Sequence, residues 1–532
     1  MSEIIGDNYL TAGKDSDIPF WKTWFYTLDH KRLGVMYLIA VSVFFLVGGL
    51  FSILVRTEHL TGSQTIMNAQ LYNVSFTLHG AIMIFLFIIP GIAASFGNFL
   101  IPLMIGARDV IFPKLNLLSF WLFCIGAIIC LVSLAAPVDT GWTFYTPYSI
   151  DSQTNVIMIT TGVFFLGFSS ILTGINFIVT IHKLRAPGMT WNNLPLFCWA
   201  SYATAIIQVL ATPVVGITLV LLIFERWFGL GFFDPAKGGD PVLFQHFFWF
   251  YSHPAVYLMI LPAMGVVSEV LPVFSRKPIF GYKAIAYSSV GIAVISFLVW
   301  GHHMFTSGQS AFMNVVFSVI TFLVAIPTAI KVFNWVATMY KGSIELSAAM
   351  LHTLAFIFLF TIGGTTGMHM SALATDIYLH DTYFVVAHMH YTMFGGTVFG
   401  FFSAVHFWYP KMWGKVFDET KAKIAFVLTF IGFNLTFYPL FVVGTRGMPR
   451  RYFNYDPQFE FIHQLSTVGT YILTIGILVM LHTLLRPVSA TTERNPYKSK
   501  SLEWRTATPP PTLNFDEMPT LEGTTYDYGK ET

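Results

Sequence analysis

Twelve apolar stretches, each of about 20 residues or more, leave this chain one kind of fold. They lie at 33–55, 74–104, 115–136, 155–181, 194–224, 242–272, 283–305, 311–339, 346–370, 383–409, 422–444 and 463–485. In a bilayer, such segments satisfy their backbone groups only as helices. The fold expected is an all-α polytopic membrane protein with twelve transmembrane helices. Composition agrees: 55% of residues are hydrophobic, 11% are charged and mean hydropathy is +0.65. A net charge of +2 gives no footing for nucleic acid. Three domains of organisation are expected: an N-terminal segment at 1–32, the twelve-helix body at 33–485 and a Pro- and Thr-rich tail at 486–532. The tail reads as an extended segment lying on the membrane face or against a partner.

Basic residues set the expected topology. Loops after even-numbered spans carry Arg108, Lys114, Lys183, Arg185, Arg276, Lys277, Lys283, Lys341, Lys411, Lys415, Lys421 and Lys423. The opposite loops carry only Arg56, Arg226, Lys237, Arg446, Arg450 and Arg451. The positive-inside rule then places both termini in the cytoplasm. No secretory h-region precedes the first span. Arg450 and Arg451 break the charge rule, which suits arginines serving a buried anion. Cys124, Cys130 and Cys198 lie singly in apolar segments and read as core packing.

The most informative stretch is HDTYFVVAHMHY, residues 380–391. Ionisable groups at membrane depth are costly, so they default to function. Successive helical residues turn by about 100°, so His388 and His390 point to nearly opposite faces. One ion could not easily take both; two large groups, one on each side, could. Imidazole is a common axial ligand of haem iron. In the sixth span, His253 is followed by Pro254, which should perturb the helix, and Tyr257 shares the face of His253. His302 and His303 end the seventh span in VWGHHMFTSG. They could reach one ion only near a helix end or distortion, which Gly301 and Gly308 permit. Three imidazoles on one ion suit copper or zinc. His79 alone reads as a hydrogen-bonded structural histidine. His352, His369, His406, His463 and His482 have no partner at ligand spacing and read as structural or interfacial.

Taken together, HDTYFVVAHMHY, HPAVY, WGHHMF and GMPRRY resemble subunit I of the haem-copper terminal oxidases, over about residues 20 to 515. The resemblance is nearest to the cytochrome c oxidase branch with two A-type haems. It implies that His79 and His390 are the axial ligands of haem a and His388 the proximal ligand of haem a3. It implies that His253, His302 and His303 hold the copper called CuB. Tyr257 resembles the tyrosine joined covalently to a copper-ligating histidine. His380 and Asp381 match an outer magnesium or manganese site. Arg450 and Arg451 match the pair that holds haem propionates, Arg56 the arginine on the haem a formyl group. Trp142 and Trp249 match aromatic residues lining the haem pocket. Glu58, Gly62 and Gln64 partly resemble a sodium or calcium site.

Proton routes follow from the same resemblance. Thr328, Lys331 and Ser268 match the K pathway, and Glu269 could load it; read without the family, Lys331 could equally be snorkelling. Asp109, by itself a solvated loop charge, matches the mouth of the D pathway, with Asn98, Asn116, Ser170 and Asn176 further along. Many relatives end that pathway with the glutamate of HPEVY; this chain has Ala255 there. It also has Tyr251-Ser252 where those relatives have Phe-Gly, resembling a subgroup in which this pair replaces the glutamate.

The activity implied is reduction of oxygen to water with electrons from cytochrome c, coupled to proton pumping. A quinol oxidase is the alternative; a nitric-oxide reductase fits Tyr257 and the K-pathway residues less well. A transporter or passive haem carrier is the reading from another class. Implied partners are subunit II with a dinuclear copper centre, subunit III, a respiratory supercomplex and membrane lipid. The location expected is a bacterial inner membrane, ahead of a mitochondrial one.

Overall fold

The computed structural model describes residues 8–13, 19–491, 493–521 and 523–528. Parts of the expected N-terminal segment (1–7 and 14–18) and of the expected tail (492, 522 and 529–532) lie outside the described residues.

Ten helices among the described residues are long and apolar enough to cross a membrane. They are His30–Glu58, Ala69–Ile105, Pro113–Val132, Val156–Lys183, Leu196–Phe228, Pro241–Ser275, Ala311–Met339, Ala348–Ser371, Glu419–Thr445 and Pro457–Leu485. Tyr282–Ser296 is a shorter apolar helix. Tyr383–Thr392 runs through a π-helical turn, Met393–Val398, into Phe399–Trp413. Apolar length explains the bodies of these helices, and side-chain caps explain several starts. Asp29 accepts the backbone N–H groups of Lys31 and Arg32, Ser310 that of Met313, and Asp418 that of Lys421.

Burial ranks the helices. The most apolar windows of Ala69–Ile105 and Pro241–Ser275 are 94% and 89% buried, those of His30–Glu58 and Ala311–Met339 only 28% each. The first two therefore form the centre, and the others present a lipid-sized apolar face outward. Two neighbours, Glu419–Thr445 and Glu460–Leu485, cross at backbone contact: a Cβ at Gly432 would overlap the Leu473 backbone, and one at Gly469 the Thr436 backbone.

The perturbation expected at Pro254 does not interrupt its helix; Pro241–Ser275 is continuous through Pro254, Pro262 and Pro272. Packing on both sides holds the helix where propensity alone would not. The eighth stretch is interrupted upstream of Pro327: Ala311–Leu323 and Ala325–Met339 meet at Val324. A proline ring clashes with the carbonyl four residues earlier, which here belongs to Leu323.

The tail packs back on the chain's own loops. Ser489–Ala490 pairs antiparallel with Lys415–Val416. The N–H of Leu521 donates to the Pro187 carbonyl at 3.0 Å. The N–H of Leu196 donates to the Tyr526 hydroxyl at 2.7 Å.

Candidate metal centre

His253 stands midway along the central helix Pro241–Ser275, while His302 and His303 sit on a 3-10 turn, Trp300–Met304, just past the helix Tyr282–Ser296. The tighter turn is the distortion that lets adjacent histidines face one point. Gly301 allows it through close approach: a Cβ there would overlap the Phe317 ring. One ligand atom from each histidine lies within 4.8 Å of the others. His253 Nδ1 and His303 Nε2 are 3.1 Å apart, the separation of two nitrogens each about 2 Å from one ion. Two contacts fix the rings. His302 Nδ1 pairs with the Thr321 hydroxyl at 3.1 Å. His303 lies flat on Trp249, with centroids 3.7 Å apart and planes 7° apart. Tyr257 packs beside His253, its ring centroid 4.9 Å away. His253 Nε2 is buried with no hydrogen-bond partner among the described residues. An all-imidazole set fits copper.

His79 and His390 form the second group. Their rings are parallel within 4° and their centroids are 6.2 Å apart. Rings in face contact would be far closer. A metal bond of about 2 Å on each side, with about 1 Å from nitrogen to ring centre, accounts for that spacing. Each Nδ1 is committed to a backbone carbonyl: His79 to Gly48 at 2.9 Å and His390 to Val386 at 2.8 Å. The free nitrogen on each ring is then Nε2, an unprotonated acceptor suited to iron. The structural reading of His79 taken alone is therefore too weak; its partner lies over 300 residues away in sequence.

His388 and His390 have different neighbours, as their spacing predicts. His388 Nδ1 meets the Gly363 carbonyl at 2.9 Å and the Thr366 hydroxyl at 3.1 Å, both on Ala348–Ser371. His390 lies on Phe437 of Glu419–Thr445, with centroids 4.1 Å apart. π-helical turns follow both members of the parallel pair, Ile82–Ile88 after His79 and Met393–Val398 after His390. Such turns concentrate at functional sites.

At one end of this group, Asp381 links to Arg450 at 2.6 Å and approaches His380 Nε2 at 3.8 Å. Burial raises the Asp381 carboxyl, but Arg450, His380 and Arg451 outweigh that and hold it below the usual carboxylate range. Among the described residues Arg451 has no hydrogen-bond or ion-pair partner; its guanidinium packs on Gly141 and over Phe76. Burial, then Arg450, lowers its pKa to about 10. A partly buried guanidinium without an anion fits a carboxylate-bearing ligand. Trp142 packs on Gly80, beside His79, and meets Trp249 edge-on at 5.9 Å. Trp249 in turn donates to the Tyr145 hydroxyl. Arg56 donates to the His463 carbonyl at 2.9 Å, and its buried Nε has no partner among the described residues. Glu58 is taken up by three backbone N–H groups, from Thr65, Ile66 and Met67, which counts against a cation at Glu58, Gly62 and Gln64.

Lys331 does not snorkel. Its side chain is buried, and Nζ donates to the Ser289 hydroxyl at 2.6 Å and the Ile285 carbonyl at 3.0 Å. Ser268 accepts from the Trp335 indole at 3.0 Å, and Thr328 bonds back to the Val324 carbonyl. Glu269 accepts the Tyr526 hydroxyl at 2.6 Å and the Phe197 N–H at 3.0 Å, and no hydrogen bond or ion pair among the described residues joins it to Lys331.

Around Asp109 the pattern differs. Asn98 Oδ1, both side-chain atoms of Asn116, and the hydroxyls of Ser170 and Ser252 are buried without partners among the described residues. Asn176 holds the Phe112 backbone at 3.2 Å. A cavity of about 40 Å³ is lined by Ser170, Gln208 and Tyr251 together with Tyr37, Ser169 and Thr173. That is room for about two or three waters. Burial pushes the Asp109 carboxyl up to about 7, so it is no ordinary solvated charge. Sequence reasoning missed Ser289 and Gln208. A lone amide and a Ser-Ser pair in otherwise apolar helices were the available signals.

The family model described as "Cytochrome C and Quinol oxidase polypeptide I" matches residues 32–472. Three relatives bear the name cytochrome c oxidase subunit 1. That of Thermostichus vulcanus is 46% identical over 516 residues, covering 96% of this chain and 94% of the relative. That of Bacillus subtilis is 42% identical, covering 97% and 84%, and that of Cereibacter sphaeroides 40%, covering 94% and 96%. A cryo-EM structure of a heme-copper terminal oxidase dimer shares the fold, with a TM-score of 0.76 at 21% identity over 86% of this chain and 83% of that one.

Proposed function

This chain belongs to the cytochrome c and quinol oxidase polypeptide I family, and from that premise we propose that it reduces oxygen to water with electrons from cytochrome c and pumps protons as it does so. It is an integral membrane protein and the catalytic, oxidoreductase subunit of a haem-copper oxidase. The observation that carries the reading is the three-imidazole group of His253, His302 and His303 beside Tyr257, joined through Trp249 and Trp142 to Gly80, next to His79 of the parallel pair His79 and His390.

When bound, the haems and copper supply electron transfer and the reduction of oxygen. The chain does the rest. His79 and His390 hold haem a, His388 holds haem a3, and His253, His302 and His303 hold copper. Trp249 keeps His303 from turning. Arg450 and Arg451 neutralise haem carboxylates, and His380 with Asp381 binds magnesium or manganese. Lys331 carries protons along the side of Ser268 and Thr328. Asp109 takes them up on the second side, and Asn98, Asn116, Asn176 and Ser170 order water towards Tyr251 and Ser252. Tyrosine's reference pKa is about 10, so Tyr251 relays through hydrogen bonds more readily than by ionising.

We count Tyr282–Met304 and Tyr383–Trp413 as two further spans, giving twelve, with both termini in the cytoplasm of a bacterial cell. Electrons arrive through a subunit II with its own dinuclear copper, and a subunit III completes the body. A quinol donor is the second reading, because the matching family covers both donors.

The test is oxygen consumption by the complex in vesicles, with reduced cytochrome c and an external pH probe. Uptake with outward acidification is expected. Uptake without acidification removes the pumping claim, and uptake only with a quinol replaces the donor.

A further inference from the structure

The loop that carries Asp109 is fastened by a residue more than 400 positions away. Asn514, in the tail, is fully buried, and its backbone has φ of +67°, a conformation asparagine tolerates better than most residues. Its amide makes three bonds. Oδ1 accepts from Lys31 Nζ at 2.7 Å. Nδ2 donates to the Ala107 carbonyl at 2.8 Å and to His30 Nε2 at 2.8 Å. His30 Nδ1 in turn donates to the Asn98 carbonyl at 2.7 Å. Lys31 is also held by the Thr512 carbonyl at 2.9 Å and by Asp29 at 3.2 Å. One amide thus ties together the start of the first span, the helix end that bears Asn98, and the backbone two residues before Asp109. The charged groups acting on Asp109 from these elements are Asp29 and Lys31.

We propose that Asn514 is a positioning residue for proton uptake, holding Ala107 and Lys31 so that Asp109 stays half-buried at the mouth of its water route. The inference rests on the reading of Asp109 given above. It needs no contact between Asn514 and Asp109. Freed from Asn514, the loop can swing towards water, the Asp109 carboxyl loses the burial that raises it, and its pKa falls towards the ordinary range.

The experiment compares Asn514→Gly and Asn514→Asp with the native complex and with Asp109→Asn. Glycine suits the positive φ and deletes the amide; aspartate suits it too, keeps an acceptor for Lys31, and sets an oxygen against the Ala107 carbonyl. Proton uptake and turnover are measured per haem across pH, so that loss of assembled protein does not count. Both variants are expected to lower uptake per haem by about tenfold, and the alkaline limb of the pH profile should move to lower pH. Unchanged uptake and an unchanged profile in Asn514→Gly overturn the proposal. Should Asn514→Gly fail to assemble, the same result in Asn514→Asp overturns it. Normal uptake in Asp109→Asn would remove the route itself, and the inference with it.

Discussion

The surroundings of Lys331 and those of Tyr251 are both polar seams in an apolar bundle, yet they are built in opposite ways. Around Lys331 every named donor is satisfied by a protein neighbour: Nζ by Ser289 and the Ile285 carbonyl, Trp335 by Ser268, and Thr328 by its own helix. On the side of Tyr251, Asn98, Asn116, Ser170, Gln208 and Ser252 carry buried polar atoms without partners among the described residues, and Ser170, Gln208 and Tyr251 line a cavity of about 40 Å³. Buried polar atoms in folded proteins are nearly always paired, with protein or with water. The first seam is therefore closed by direct protein contacts, and under the proposed function a proton would cross it by movement of the Lys331 side chain. The second has polar atoms and space that suit ordered water, and under the proposed function a single hydroxyl would matter less there because water can re-pair around its loss.

The contrast can be broken at its strongest point first. Replacing the ammonium in Lys331→Met should cut turnover by about 100-fold or more, in the range of a lost proton-transfer group. Haem absorption and copper content should be retained. A loss no larger than that of a hydroxyl variant on the other seam would end the distinction. Next is Asp109→Asn, with an expected loss of proton uptake of about tenfold or more. Here pH sharpens the result. A carboxyl raised to about 7 holds its proton below that pH and is ionised above it. Uptake-limited turnover in the native protein should fall as pH rises through about 7, and the asparagine variant should show no such limb. Tyr251→Phe should cost about fivefold in pumping-coupled turnover, since neighbouring hydroxyls and water remain. If turnover and pumping stay at native values, Tyr251 has no part in the route. Smallest is Ser289→Ala, about threefold on the Lys331 side, the scale of one hydrogen bond. Its effect should vanish in a Lys331→Met background, a coupling that a double-mutant cycle measures.

What was legible in the sequence follows the reach of local pattern. Apolar length marked out the helices, and the two-residue spacing of His388 and His390 placed them on different neighbours. The HPAVY face put Tyr257 against His253. Pattern could not show where packing overrules propensity, as at Pro254, whose helix runs on unbroken. It was silent where the partner is remote and unremarkable. Ser289 looks like any small helical residue until Lys331 lies against it. Glu269 looks like a route residue until Tyr526 is seen on its carboxylate. Asp109 looks solvated because nothing near it in sequence reveals the buried residues packed over its loop.

The bonds from Asn514 to His30 and Ala107 join residues 484 and 407 positions apart. A chain is synthesised from its N-terminus, at about 5–20 residues per second. The helix containing His30 is therefore made long before the residue that completes its buried end exists. Until Asn514 emerges, His30 and the Ala107 carbonyl must wait without its amide, and Lys31 has Asp29 to hold it. The helix that bears His30 is thus locked from hundreds of residues away, and its buried end is complete only once Asn514 has been made.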